Sequence, residues 1–368
     1  MTASEQWVLQ ICHGYDGPFL DCARQYAALF TGTPYKVCTV YLTGTPSDEV
    51  RHGSASDEVL FLGFDSKAVR GLKLAAVRKI RRIVRSRDFV FGIAHRSKPT
   101  YVALLGTSLL VISVHHAFGD YDRLSRRLFI NRFRTRLLLL GVSDAVRDDI
   151  RARLPSWPND HIQTLYNRID IAAVQADQVD SSSARAYLGL PADAWIVGNV
   201  GRLHRDKDQA TLIRGFAQAL PELPPGSLLA IMGSGPLESS LKALAADLGL
   251  AEQVRFLGQI DHGRRYFRAF DVFALTSDHE PFGMVLLEAM AAELPVVCTD
   301  CGGGREVVAQ GGQLFPMGDF RSLADSLVEL SAGADDKTAA LQHALATRFS
   351  DASVRRSFWA LSFVQSFR

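Results

Sequence analysis

Short β-branched or apolar runs alternate with segments of helical periodicity along nearly the whole chain, and that alternation restricts the fold to parallel α/β units. The first half predicts strands at residues 7–12, 35–42, 59–63, 89–94, 110–115 and 137–143. The pattern restarts in the second half, with strands predicted at 195–201, 227–233, 254–258, 271–277 and 295–300. Two doubly wound, Rossmann-like domains follow, one over 1–175 and one over 190–350. The polar, Ser/Asp-rich stretch 167–194 is expected as their linker, and a helix over 351–368 is expected to pack back on the first domain. Ligands of such sheets bind outside the carboxyl ends of the strands, so the active site is expected in a cleft between the domains.

The charge is nearly balanced overall but unevenly placed. Residues 1–175 carry 24 basic and 16 acidic side chains (+8), and residues 176–368 carry 17 and 23 (−6). The basic half favours an anionic partner. The first residues lack a cationic stretch followed by a long apolar one, and the longest apolar run, 101–114, is too short to span a bilayer. A cytoplasmic protein is expected. Five scattered cysteines suit a reducing compartment, and the Cys298/Cys301 pair has CxxC spacing without the two further ligands that zinc would need.

The stretch "DHEPFGMVLLEAM" (278–290) reads as a strand's exit loop followed by a helix. It places Glu280 at the mouth of the strand and Glu288 one turn past Met284, within an apolar run. A carboxylate there would be buried and would need a partner, which a ligand can supply. The amides of Gly283, Met284 and Val285 at the helix start suit an anion, and a carboxylate can accept both vicinal hydroxyls of a ribose. The competing reading is a capping box, Ser277-x-x-Glu280. It would place Pro281 and Gly283 inside the first turns of the helix it starts, which disfavours it. A second constellation, "VGNVGRLHRDKDQATLIRGF", sets Arg202 and Lys207 between a strand ending at Gly201 and a helix capped by Asp208. A guanidinium and an ammonium at that point would hold a pyrophosphate without a metal; on its own, the same loop could equally be two solvated cations.

Taken together, Gly201-Arg202 with Lys207, "MGSGP" (232–236), "VRFLG" (254–258), Glu280-x-Phe282-Gly283 with Glu288-Ala289, and "PVVCTDCGGGREVV" resemble the retaining glycosyltransferases of family four, of GT-B fold, lipopolysaccharide core glycosyltransferases among them. The resemblance is strong over 195 to about 330 and weak over 1–194. It implies that Arg202 and Lys207 bind the donor diphosphate, Glu288 the ribose, Glu280 the transferred sugar, and the 283–285 amides the phosphate and sugar, with Phe282 among the donor-binding residues. It further implies that His115, in "LVISVHHAFG", lies near the donor sugar and Gly17 on the loop facing the diphosphate; His116 is an equally available neighbour of His115. Two positions depart from the family pattern. Asn167-Arg168-Ile169-Asp170 stands where Asn-Gly-Ile-Asp is usual, and Glu293-Leu294 replaces the small residue before Pro295.

The expected activity is transfer of a sugar, with retention, from a nucleotide diphosphate donor such as a UDP-sugar to a glycan or glycolipid such as lipopolysaccharide core. A nucleotide-sugar epimerase, or a non-catalytic protein binding sugar nucleotides or membranes, are the alternatives. No cofactor and no metal are expected: Asp120-Tyr121-Asp122 has DxD spacing, but two acids rarely suffice for a cation. "GSGPLE" (233–238) lacks the third glycine of a dinucleotide fingerprint. Finally, 69–89 and 121–140 are basic and amphipathic, with Leu72, Ala76, Ile80 and Val84 predicted as one buried stripe. Arg78, Arg81, Arg82 and Arg85 beside it could meet an anionic inner-leaflet membrane surface or a phosphorylated acceptor. Nucleic acid is not expected, for want of interleaved aromatics.

Overall fold

In a computed structural model, which describes residues 5–17, 19–65, 67–333, 335–365 and 367, the predicted alternation becomes two parallel sheets. The first contains β1 (Gln6–Cys12), β2 (Tyr35–Thr43), β3 (Glu58–Phe64), β4 (Asp88–His95), β5 (Val111–His115), β6 (Leu137–Gly141) and β7 (Ile162–Thr164), in the order β3-β2-β1-β4-β5-β6-β7. The second contains β8 (Ile196–Val200), β9 (Leu228–Met232), β10 (Val254–Gly258), β11 (Val272–Leu275), β12 (Val296–Thr299) and β13 (Gln313–Phe315), in the order β10-β9-β8-β11-β12-β13. Every predicted strand is present. The sequence pattern did not disclose β7 and β13, whose three residues are too few to show a period.

Central strands in both sheets are buried on both faces, which is why they read as continuous apolar runs rather than alternating ones. Residues 137–141, Leu-Leu-Leu-Leu-Gly, are all buried, as are 228–232. The second core gathers Val197, Ile213, Phe216, Ile231, Val297 and Leu323 from sheet and flanking helices.

The chain divides into one unit of residues 1–166 with 355–368 and another of 167–354. The stretch expected as a linker instead forms two helices of the second unit, Ile171–Asp177 and Ser181–Leu188. Each is capped by an aspartate, Asp170 accepting from Ala173 N–H at 3.0 Å and Asp180 from Ser183 N–H at 3.0 Å. Arg185 ties the second helix to the sheet by donating to the Ala269 carbonyl (3.0 Å) and the Asp271 carboxylate (2.8 Å). Arg168, the departure from the family's glycine, is 5 % exposed and paired with Asp351 at 3.2 Å.

Of the expected C-terminal helix, residues 366 and 368 lie outside the described residues. The described part contains Asp351–Ala360. Its Trp359 donates to the Leu29 carbonyl at 3.2 Å, and Phe358 and Trp359 meet the Phe30 ring edge-on at 5.6 Å. No helix among the described residues is long and apolar enough to cross a membrane.

Candidate active site

Both sheets reverse their strand order beside their first strand, between β1 and β4 and between β8 and β11. In doubly wound sheets a ligand crevice opens at that point, at the carboxyl ends. In the second unit, the loops leaving β8 and β11 carry the residues singled out in the sequence.

Lys207 Nζ donates to Glu280 Oε2 at 2.6 Å, joining the two loops. Glu280 is 7 % exposed, and Ser277 Oγ donates to the same oxygen at 3.2 Å. Among the described residues no donor reaches Oε1. The backbone locks the pair in place: Thr276 Oγ1 donates to the Lys207 carbonyl at 2.9 Å, and Gly303 N–H to the Glu280 carbonyl at 2.8 Å. Residues 276–283 are not helical, so the Ser277–Glu280 contact is a bond within a loop and not a capping box. The helix Met284–Ala291 starts after Gly283 (φ +93°), a left-handed conformation that glycine adopts without strain. No side chain caps that start.

The carboxylate expected to be buried is Glu288; the structure buries Glu280 instead, with Lys207 as its partner. Glu288 is only half-buried on the second turn of the helix, because it faces away from the wholly buried side formed by Leu286, Leu287 and Met290. Phe282 is buried and meets the Phe349 ring edge-on at 5.9 Å, which fixes the loop from below. Met284 and Val285 are half-buried.

Arg202 is 74 % exposed on its side chain and lies 3.6 Å from Asp206. Burial pushes the Asp206 carboxyl up, but His204, Lys207 and Arg202 outweigh it and hold it below the usual range. The following helix is capped as predicted: Asp208, at φ +41°, accepts from Thr211 Oγ1 at 2.6 Å. The "MGSGP" loop closes on this one. A Cβ at Gly233 would stand 2.0 Å from the Gly201 carbonyl oxygen, and one at Gly235 2.4 Å from that of Leu203. Only glycines allow the two loops to approach so closely.

In the first unit, His115 ends β5 and is 0 % exposed. Its Nδ1 is 2.7 Å from Asp120 Oδ2, and its Nε2 is 3.0 Å from Ser113 Oγ and 3.1 Å from Tyr121 Oη. His115 is thus enclosed, with both ring nitrogens engaged. These contacts tie His115 to the loop that follows β5. The half-buried neighbour is His116, stacked on His95 with Nε2 3.1 Å from His95 Nδ1. Burial depresses the pKa of both, His95 to about 3, and the surrounding His95, His115 and Arg96 depress His116 further. His95 was missed because the apolar run that announced its strand stops one residue earlier. Gly17 (φ +58°) lies beyond the end of β1.

Asp120 and Asp122 do not converge: Asp120 holds His115, and Asp122 pairs with Arg153 at 2.8 Å. All five cysteines are free thiols, and burial raises the pKa of both Cys298 and Cys301. The Cys301 thiol donates to the Ser277 carbonyl at 3.0 Å, a supporting contact under the Glu280 loop.

The family match falls within this second unit. Residues 180–343 match the model of the family "Glycosyl transferases group 1". The lipopolysaccharide core biosynthesis glycosyltransferase LpsE of Rhizobium meliloti is 37% identical over 150 residues, 40% of this chain and 43% of the relative. A D-inositol 3-phosphate glycosyltransferase of Corynebacterium urealyticum is 34% identical over 174 residues, 45% of this chain and 41% of the relative. The matched region thus spans less than half the length of these relatives. A solved glycosyltransferase from Rickettsia africae superposes with a TM-score of 0.83 at 15% identity, covering 99% of this chain and 100% of that one. Anabaena HepE, solved with UDP and glucose, gives 0.75 at 22%, covering 96% and 98%. The two doubly wound sheets are those of the GT-B fold, and residues 180–343, in the second unit, are those that match the glycosyl transferases group 1 family.

Proposed function

We propose that the chain is a retaining glycosyltransferase that moves a sugar from a nucleotide diphosphate donor, a UDP-sugar, to a glycan or glycolipid acceptor such as lipopolysaccharide core. The observation that carries the reading is the Lys207–Glu280 pair at the switch point of the second sheet, beside a helix start without a side-chain cap. An ammonium has three donors. Glu280 occupies one and aims the rest, so Lys207 can hold the leaving diphosphate while Glu280 Oε1 accepts a hydroxyl of the transferred sugar. Arg202 closes on the same phosphates from the exposed side, and the helix start adds its partial positive charge. Charge that develops on the leaving group thus meets groups already in position, which is where electrostatic catalysis gains most. Glu288 takes the ribose hydroxyls, and the acceptor hydroxyl attacks from the face the diphosphate leaves, giving retention. Support for the donor comes from HepE, solved with UDP and glucose; support for the acceptor comes from the lipopolysaccharide core relative. No metal is needed in this arrangement, because the cations stand where one would.

Incubation with UDP-sugars and lipopolysaccharide core should release UDP only when both are present, with the new linkage keeping the donor's anomeric configuration by NMR. Release of UDP without an acceptor, conversion of one UDP-sugar into another, or an inverted linkage would each refute the reading.

A further inference from the structure

The first unit has a cavity of about 460 Å³ whose wall is cationic. Three helices begin at its rim: Leu74–Val84, Ser97–Gly106 and Leu124–Asn131. None carries an acidic residue in its first turn or a side-chain cap. Arg70, Lys73, Lys98, Arg123 and Arg126 line the cavity, with Tyr101 among them.

Among the described residues, Arg70, Lys73, Lys98 and Arg123 pair with no carboxylate. Lys73 donates to the Gly71 carbonyl at 2.7 Å and stands 4.3 Å over the Tyr101 ring. Arg126 alone meets an acid, Asp120 at 3.5 Å. Burial, then Lys98 and Arg126, depress the Lys73 pKa, so the cations strain against one another. A cluster of that kind is complementary to a compact anion with several acceptor oxygens.

The rim is apolar where the wall is charged. Leu72, Leu74, Leu124 and Leu128 are between 53% and 67% exposed. Each is adjacent in sequence to a residue of the cavity wall. The stripe expected to bury Leu72 with Ala76 and Ile80 begins in fact at Ala76, and Leu72 points to solvent. Exposed leucines beside an anion pocket gain nothing from a soluble phosphate. They gain from a hydrocarbon layer held directly above the phosphate.

We infer that this pocket binds the phosphate of a lipid, with Leu72, Leu74, Leu124 and Leu128 seated in the acyl boundary, and that it holds the glycolipid acceptor or its membrane against the first unit. The inference rests on the proposed transferase activity only for the word acceptor; lipid binding itself does not depend on it.

The test is co-sedimentation of the full chain with phosphatidylcholine vesicles, with and without phosphatidic acid, in parallel with calorimetry against glycerol 3-phosphate. Wild type should bind the phosphatidic acid vesicles and bind plain vesicles and glycerol 3-phosphate far more weakly. Lys98→Gln with Arg123→Gln should weaken vesicle binding at least about tenfold, since each interfacial cation supplies on the order of 1 kcal/mol. Leu72→Ser with Leu124→Ser should weaken it too. All four positions are exposed, and an unchanged thermal shift with UDP should verify that each variant is folded with its donor site intact. Equal binding to both vesicle types, no binding to either, or vesicle binding unchanged in the charge variant would overturn the inference. Glycerol 3-phosphate binding as tightly as vesicles, with the leucine variant unaffected, would overturn the lipid and leave a soluble phosphate ligand. A wild type that binds vesicles but shows no UDP shift would refute the transferase reading and leave this one standing.

Discussion

The two sheets share a strand order and a switch point, yet the carboxyl edges they expose there differ in kind. At the carboxyl ends of β1, β4 and β5 the first unit sets His13, His95 and His116, three histidines whose protonation is disfavoured. Beyond β8 and β11 the second unit sets an ammonium against a carboxylate. The difference shows that the scaffold supplies a place and the loop side chains supply the chemistry. One edge is tuned to stay neutral among cations, and the other to keep two opposite charges close with little solvent.

The sharpest way to break that contrast is Lys207→Ala. It leaves Glu280 charged and enclosed with only Ser277 as a partner, and it removes the ammonium assigned to the diphosphate. Loss of one donor to a developing charge costs about 10²- to 10³-fold in turnover, and removal of one partner from a buried pair destabilises by about 3–5 kcal/mol. Both effects should appear, in a steady-state assay and a urea titration. Turnover within a few-fold of wild type would remove Lys207 from the chemistry. Lys207→Ala with Glu280→Gln should recover stability without recovering turnover, because the uncompensated charge is then gone while the phosphate ligand is still missing.

Glu288→Gln comes next in size. The amide keeps the volume but loses charge-assisted acceptance, a loss of about 1.5–3 kcal/mol, or roughly tenfold to a hundredfold in UDP affinity. Since Glu288 is half-buried on a helix surface, stability should hardly move. Calorimetry that finds the same affinity would sink the ribose role. Arg202→Ala should cost less, about tenfold or under, because its side chain is largely in water and screened there.

How far this was legible in the sequence differs between the units, for physical reasons. The donor loops are local: Arg202 to Lys207 and Glu280 to Glu288 each fit within one strand exit and one helix start, so spacing conveys their geometry. What spacing could not convey was which glutamate would be buried, since that depends on how the 276–283 loop folds back under Gly303. The two helices within 167–194 were missed because their buried apolar residues are widely spaced; Ile169, Val174, Ala184, Leu188, Leu190 and Ala194 are buried, and six such residues over so long a polar stretch show no clear period. The enclosure of His115 was not legible because a strand end looks exposed in one dimension, whereas Asp120 and Tyr121 close over it. The cationic cavity joins residues about 25 apart in three helix starts, and no sequence window contains it.

The smallest expected effect separates the two edges by pH. For His95 the folded pKa is about 3 and the ordinary value is 6.5. Above pH 6.5 the ring is neutral whether the chain is folded or not, so stability does not depend on it. As pH falls from 6.5 toward 3 the unfolded chain takes up a proton that the folded one refuses, and stability declines throughout that window. His116 is depressed in the same direction, and so is His13, by burial, Lys98 and Arg96 against the opposing Asp16. All three lie in the first unit. Between pH 7.5 and 5, hydrogen exchange should therefore lose protection in β1, β4 and β5 more than in β8, β11 and β12. The His95→Gln variant should flatten that response, because a glutamine offers an amide to the same neighbour and cannot be protonated. Equal loss of protection in both units, or an unaltered pH response in the variant, would mean that the neutral edge of the first sheet does not govern its acid sensitivity.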